Sequence, residues 1–330
     1  MLLRRLLHRF GSAQPPADGA ASPNHTPEVS TAPSAVAQPA PPIDGLIPEP
    51  STARLSKLVA RYPDAVGEFY AYLREDLRPI FIDDANYHRR RYLAMLDREY
   101  GHRILEVGSD KPFITHCLRE LNPSATVSTI SVDLPFSPFP VLYVDIESEE
   151  FPLAAGSVDD VIFTEVIEHL FRDPAWCLFQ INRVLREGGR LYLTTPNACG
   201  YDAIQNALRQ KNPNERAQYF ARMESGHPHL WTVPDLTLLL EAHGFAVREL
   251  STANFYEIPC DPRIGAFIQA TGSQPEMQRQ AIVVVAEKTT AVSAPSYPLP
   301  IFPDGMPAQF IGAVGLWATS SGRPPPMTWW

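Results

Sequence analysis

Between residues 104 and 286, short apolar runs rich in Val, Ile and Leu alternate with stretches whose apolar residues recur at helical spacing. That alternation constrains the fold more than any other feature, because apolar strands need cover on both faces and crossover helices supply it. Ile104-Leu105-Glu106-Val107, 126–132, 141–144, Val158 to Thr164, Arg190 to Thr195, Phe245 to Leu250 and Ala281 to Ala286 read as strands. Phe113 to Leu121, Pro174 to Arg186 and Pro234 to His243 read as helices, the second with proline in its first turn and the third closed by Gly244. Further helical segments fall near 201–210 and 213–223. Upstream, Leu55 to Val59 and Val66 to Leu73 suggest two short amphipathic helices parted near Pro63, and a third runs over about 85–99. The expected fold is α/β: a doubly wound, mostly parallel seven-stranded sheet with helices on both faces. No break interrupts 100–288, which favours one sheet over two domains.

The ends differ from this middle. Of 34 prolines, 10 lie in residues 1–50 and 8 in 291–330. Residues 1–50 are expected as a disordered tail, because Ala, Pro and Ser bury too little surface to offset ordering entropy. Within it Leu2, Leu3, Leu6, Leu7 and Phe10 oppose Arg4, Arg5 and Arg9, a pattern suited to weak membrane-surface contact through residues 1–10. Residues 51–290 form the expected domain. Residues 291–330 form a Pro- and aromatic-rich extension, with Tyr297, Ile301, Phe302, Phe310 and Trp317, expected to pack along the domain or a partner chain. The net charge of -9 argues against bulk electrostatic binding to nucleic acid. Cys117, Cys177, Cys199 and Cys260 form no CxxC pair, so reduced thiols and a cytoplasmic location are expected.

In such a sheet, ligands sit beyond the carboxyl ends of the strands, where strand order reverses. The residues there are Glu106-Val107-Gly108-Ser109-Asp110-Lys111-Pro112, then Asp133, Asp145, Glu165-Val166-Ile167-Glu168-His169 and Thr195-Pro196-Asn197. Asp145, Phe151-Pro152, Gly156-Ser157-Val158-Asp159 and Glu165 to His169 follow one another in order; Val184 to Asn197 and Trp231 to Phe245 continue the set. This set resembles the class I S-adenosylmethionine-dependent methyltransferases with small methyltransferase domains, over about residues 85–288. The resemblance implies a Rossmann-like methyltransferase fold with S-adenosyl-L-methionine as cofactor. It places the donor on Glu106, Gly108, Asp133, Leu134, Asp145, Ile146, Glu165 and Val166. Gly108 would lie against the methionine part, Asp133 would accept from the ribose hydroxyls, and Asp145 would accept from the adenine amine.

One loop departs from the family. Its first turn usually reads acid-x-Gly-x-Gly-x-Gly, and here Asp110 and Pro112 replace the second and third glycines. Proline removes an N–H and Asp110 adds a negative charge that Lys111 or one of Arg89, Arg90 and Arg91 would offset. The expected reaction is O-methylation of a glycan, lipid or other small metabolite, with His227 and His169 as candidate bases. Two alternatives use the same residues. Glu165, Glu168, His169 and His227 resemble the metal set of small-RNA 2′-O-methyltransferases, and the altered loop suits a non-catalytic binding module.

Overall fold

The computed structural model describes residues 43–109, 111–132, 137–212 and 226–302. Among the described residues four helices come first: α1 (Ser56–Ala60), α2 (Tyr62–Phe69), α3 (Arg78–Tyr87) and α4 (Arg89–Leu96). The alternating part follows as β1 (Arg103–Val107), α5 (Phe113–Leu121), β2 (Thr126–Ser131), β3 (Leu142–Tyr143), β4 (Val158–Thr164), α6 (Pro174–Val184) and β5 (Leu185–Pro196). It ends with α7 (Tyr201–Leu208), α8 (Val233–Ala242), β6 (Phe245–Ala253), α9 (Pro262–Ala270) and β7 (Ala281–Lys288).

Seven strands form one sheet in the order β3-β2-β1-β4-β5-β7-β6. All neighbours are parallel except β7, which runs antiparallel to both β5 and β6. Strand order reverses between β1 and β4, so the crevice expected to hold a ligand opens beyond Val107 and Thr164. Strand β4 explains why both faces are covered. Val161 and Phe163 enter a core with Leu178, Ile181, Leu236 and Leu240, while Ile162 enters a second core with Tyr62, Leu93 and Phe113. The N-terminal helices therefore close the second face rather than form a separate unit.

Helix boundaries follow local chemistry. Asp173 caps α6 by accepting from Trp176 N, and Thr232 caps α8 by accepting from Asp235 N, each ahead of a first-turn proline. Gly244 ends α8 at φ +75°, where a Cβ would lie 2.2 Å from Thr290 O. The expected third helix over 85–99 is instead two, α3 and α4, meeting at His88. In α3 the apolar residues Ile80, Phe81 and Ile82 are contiguous, so no helical period marks it. Strand β5 starts five residues earlier than expected: Leu185 pairs with Val158 before an irregularity containing Gly188 and Gly189. Helix α9 was not foreseen. The expected helix at 213–223 lies outside the described residues.

Residues 43–50 correct the expected tail. Ile43 is buried, and Ile47 N donates to Asn254 O at 3.0 Å. Asn254 Nδ2 donates to Ile43 O at 2.7 Å and Gly45 O at 3.0 Å, so one buried amide satisfies a segment that has no regular structure. At the other end, Tyr297, Ile301 and Phe302 pack on the first core, and Tyr297 Oη donates to Asp173 Oδ2 at 2.7 Å. The expectations for 1–10 and for Phe310 and Trp317 lie outside the described residues. Among the described residues, no helix is long and apolar enough to cross a membrane.

Candidate functional site

The crevice beyond β1 and β4 is a cavity of about 930 Å³. Its floor is built from strand ends. Gly108, just after β1, has φ +80°, and a Cβ there would lie 2.6 Å from Val166 Cγ1. The glycine is therefore required both by its backbone conformation and by the side chain that follows β4. Glu165, directly after β4, also sits in the left-handed region at φ 54°, unusual for a residue with a side chain. Two hydrogen bonds hold it: Glu165 N donates to Thr194 O at 2.8 Å, and Thr194 Oγ1 donates to Glu165 Oε1 at 2.8 Å. Glu106 is buried on β1 and accepts from Thr115 Oγ1 of α5, which fixes its carboxylate at the cavity wall.

Asp145 and Ile146 line the cavity after β3. Arg172 pairs with the Asp145 carboxylate, and Glu147 N donates to Asp145 Oδ1 at 3.1 Å, an Asx-type turn that aims the acid. Arg172 is a site residue that strand-end reasoning misses, because it precedes α6 rather than following a strand. Burial raises the Glu147 carboxyl above its ordinary range, against the lowering effect of the Arg172 and Asp173 backbone N–H groups. Asp133 and Leu134 lie outside the described residues.

Beyond β4 a second wall carries Glu168, His169 and His227. Glu168 is 1% exposed; Thr195 Oγ1 donates to its Oε2 at 3.0 Å, while Oε1 has no hydrogen-bond partner. Burial, and then the charge of Glu165, push the Glu168 carboxyl well above the usual range. His169 Nδ1 lies 3.0 Å from Gly226 O, a group that only accepts, so Nδ1 carries the proton. Its Nε2 lies 3.9 Å from Glu168 Oε1. The His169 and His227 rings meet edge-on at 4.7 Å between centroids. One ligand atom from each of Glu168, His169 and His227 falls within 4.8 Å of the others. Glu165 does not join this group; its carboxylate faces Thr194. His229 packs edge-on against Trp231 at 4.5 Å instead.

The third wall comes from the N-terminal helices and the segment after β6, and the sequence pattern did not point to it. Tyr87 and Tyr256 stack at 4.6 Å with 14° between ring planes. His88 Nδ1 lies 2.9 Å from Tyr256 Oη. Arg91 is buried and reaches Thr164 O at 3.3 Å, linking α4 to the end of β4. The neighbouring arginines are engaged elsewhere: Arg89 pairs with Glu49 at 2.9 Å, and Arg90 donates to Ile47 O at 2.7 Å. Lys111 Nζ lies 3.3 Å from Asp84 Oδ1, at the edge of the cavity. Three consecutive arginines look alike in sequence; only packing separates the one that faces the site.

The profile of the methyltransferase-domain family matches residues 72–250, more than half of the chain. The chain belongs to this family of class I S-adenosylmethionine-dependent methyltransferases. No protein of curated function matches it in sequence. Among solved structures, it is similar to a chain from the complex of the Haloferax volcanii Trm112 methyltransferase activator with a methyltransferase: 14% identity, 68% of this chain, 99% of that one, TM-score 0.44. An S-adenosylmethionine-dependent methyltransferase from Aquifex aeolicus shares 15% identity over 68% of this chain and 98% of its own, with a TM-score of 0.39. One from Archaeoglobus fulgidus shares 15% over 63% and 99%, with a TM-score of 0.44.

The methyltransferase cavity suits its donor in size and charge. Small-molecule sites typically occupy about 300–1,000 Å³. Among the described residues lining this one, seven carry a carboxyl group and three are Arg or Lys, which favours a ligand bearing a sulfonium cation. The methyltransferase first loop keeps a single glycine, and α5 begins after Pro112 without a side-chain cap. The cavity edge beside that loop carries Lys111 and Asp84 instead.

Proposed function

We propose that this methyltransferase transfers a methyl group to a hydroxyl of a small acceptor, a glycan, lipid or other metabolite. The observation that carries this reading is the pairing of Gly108, Val166 and Glu165 at the donor floor with His169 and His227 on the adjoining wall of one cavity. Glu106 and Gly108 would hold the methionine side of the donor, Asp133 and Leu134 the ribose, Asp145 and Ile146 the adenine, and Glu165 and Val166 the reacting centre. Bound S-adenosylmethionine supplies an electrophilic methyl on its sulfonium, so the protein's task is alignment and removal of one proton. His227 would take the proton of the acceptor hydroxyl, and His169, fixed by Gly226 O, would hold that ring in place. The Asp/Asn-Pro-Pro-aromatic run of adenine N-methyltransferases is missing after β4, where Thr164-Glu165-Val166-Ile167 stands, which supports an oxygen acceptor. The test is incubation with methyl-labelled S-adenosylmethionine and a metabolite extract. Label in a base-stable ether supports the reading, and label confined to amines overturns it.

The clustering of Glu168, His169 and His227 favours a second reading, in which these three hold a divalent cation that lowers the acceptor's pKa. Glu168 Oε1, buried and without a hydrogen-bond partner, is the donor atom such an ion would satisfy. Turnover abolished by chelator and restored by Mn²⁺ or Mg²⁺ supports the ion, while turnover indifferent to chelation removes it.

A further inference from the structure

We infer that Lys111 and Asp84 form a charge clamp for the amino-acid end of the methyl donor, Lys111 taking its carboxylate and Asp84 its ammonium. The inference rests on the donor-binding reading of this cavity and deepens it. A glycine-rich turn meets an α-amino acid with backbone groups, because without side chains the chain approaches closely. Here two of those three glycines are Asp110 and Pro112, and Pro112 has no N–H to give. A cationic partner for the donor's carboxylate must come from a side chain near Gly108. Arg89 and Arg90 are engaged with Glu49 and with Ile47 O, and Arg91, which also lines the cavity, donates to Thr164 at the end of β4. Lys111 lies at the cavity edge, between the two altered positions of the turn, with its Nζ 3.3 Å from Asp84 Oδ1.

The chemistry of the pair matches that of the ligand. An α-amino acid carries a carboxylate and an ammonium on one carbon, and the cavity edge presents a cation and an anion 3.3 Å apart. Insertion of the zwitterion between them sets each of its charges against an opposite one, so neither end of the ligand is buried without a counter-charge. Their side chains are 21% and 25% exposed, shielded enough for the pair to count yet open to an arriving ligand. Ser109 Oγ, buried without a hydrogen-bond partner and also lining the cavity, lies between Gly108 and the lysine in the chain and offers a further polar contact. His88 Nε2, 3.7 Å from the same Asp84 oxygen, steadies the acid from the other side.

Calorimetry on the full chain tests the clamp with three probes. These are S-adenosylmethionine, its decarboxylated analogue, which keeps the ammonium, and 5′-methylthioadenosine, which has neither group. Lys111→Met should weaken S-adenosylmethionine about tenfold or more, the size expected for a lost charged hydrogen bond, with the other two probes unchanged. Asp84→Asn should weaken S-adenosylmethionine and the decarboxylated analogue alike and spare methylthioadenosine. Lys111→Arg should restore most of the loss. Weakening that extends to methylthioadenosine, or undiminished affinity of Lys111→Met for S-adenosylmethionine, overturns the clamp alone. A wild-type chain that binds methylthioadenosine but not S-adenosylmethionine also overturns it. Failure to bind all three overturns the donor-binding reading, and the clamp with it.

Discussion

At the scale of single residues, Gly108 carries two demands at once. Its φ of +80° penalises any side chain, and the Val166 methyl groups already fill the place of a Cβ. Gly108→Ala should therefore lower stability by about 2–4 kcal/mol, from backbone strain and overpacking together. It should also displace Val166 from the floor of the cavity. Urea denaturation and S-adenosylmethionine calorimetry read the two effects separately. The need for a glycine here is legible in the sequence, because a turn after a buried strand calls for one. The atom that enforces it is not, since Val166 lies 58 positions away and meets Gly108 only through the pairing of β1 with β4. The same holds for Arg172 on Asp145. Nothing in their spacing announces a contact that the loop before α6 creates.

At the scale of elements, strands proved easier to read than the helices before them. Buried strands advertise themselves as apolar runs, whereas α3 holds three contiguous apolar residues and α9 packs only Ile264 and Ile268 inward. Strands also carry charges at their starts, and these join elements that sequence alone lists separately. Asp159 of β4 accepts from Arg103 of β1 at 2.7 Å and from Arg186 of β5 at 3.0 Å. The Arg103 guanidinium, its backbone N–H and Arg186 hold the Asp159 carboxyl well below its ordinary range, against the opposing effect of burial. A depressed carboxyl stabilises the fold wherever it is ionised in both states and loses that contribution as pH falls through its folded pKa. Asp159→Asn should cost about 1–2 kcal/mol at pH 7, a figure reduced because both arginines are half-exposed. The difference from wild type should shrink steadily below about pH 4, near the unfolded Asp pKa. Thermal melts from pH 7 to pH 2 follow it, and a gap that stays constant with pH counts against the ion-pair account.

For the molecule as a whole, alternation of strands and helices foretold the sheet and the end of it that bears the site. The third wall of the cavity was hidden, because it joins α3, α4 and the segment after β6 across more than 160 positions. The segment 43–50 was hidden for a related reason. Its composition is that of a tether, and what holds it is one amide far along the chain. Asn254 is fully buried; it donates to Ile43 O and Gly45 O, while its own Oδ1 accepts from Gln280 N at 3.1 Å. Gln280 in turn donates to Tyr256 O at 3.1 Å and lines the cavity. The N-terminal segment and the aromatic wall thus share one hydrogen-bonded support. Asn254→Ala leaves the buried Ile43 carbonyl without its donor, which costs about 1–3 kcal/mol. We expect a lower Tm and faster proteolysis within 43–50. Protection of 43–50 unchanged from wild type would mean that Asn254 is not what holds it.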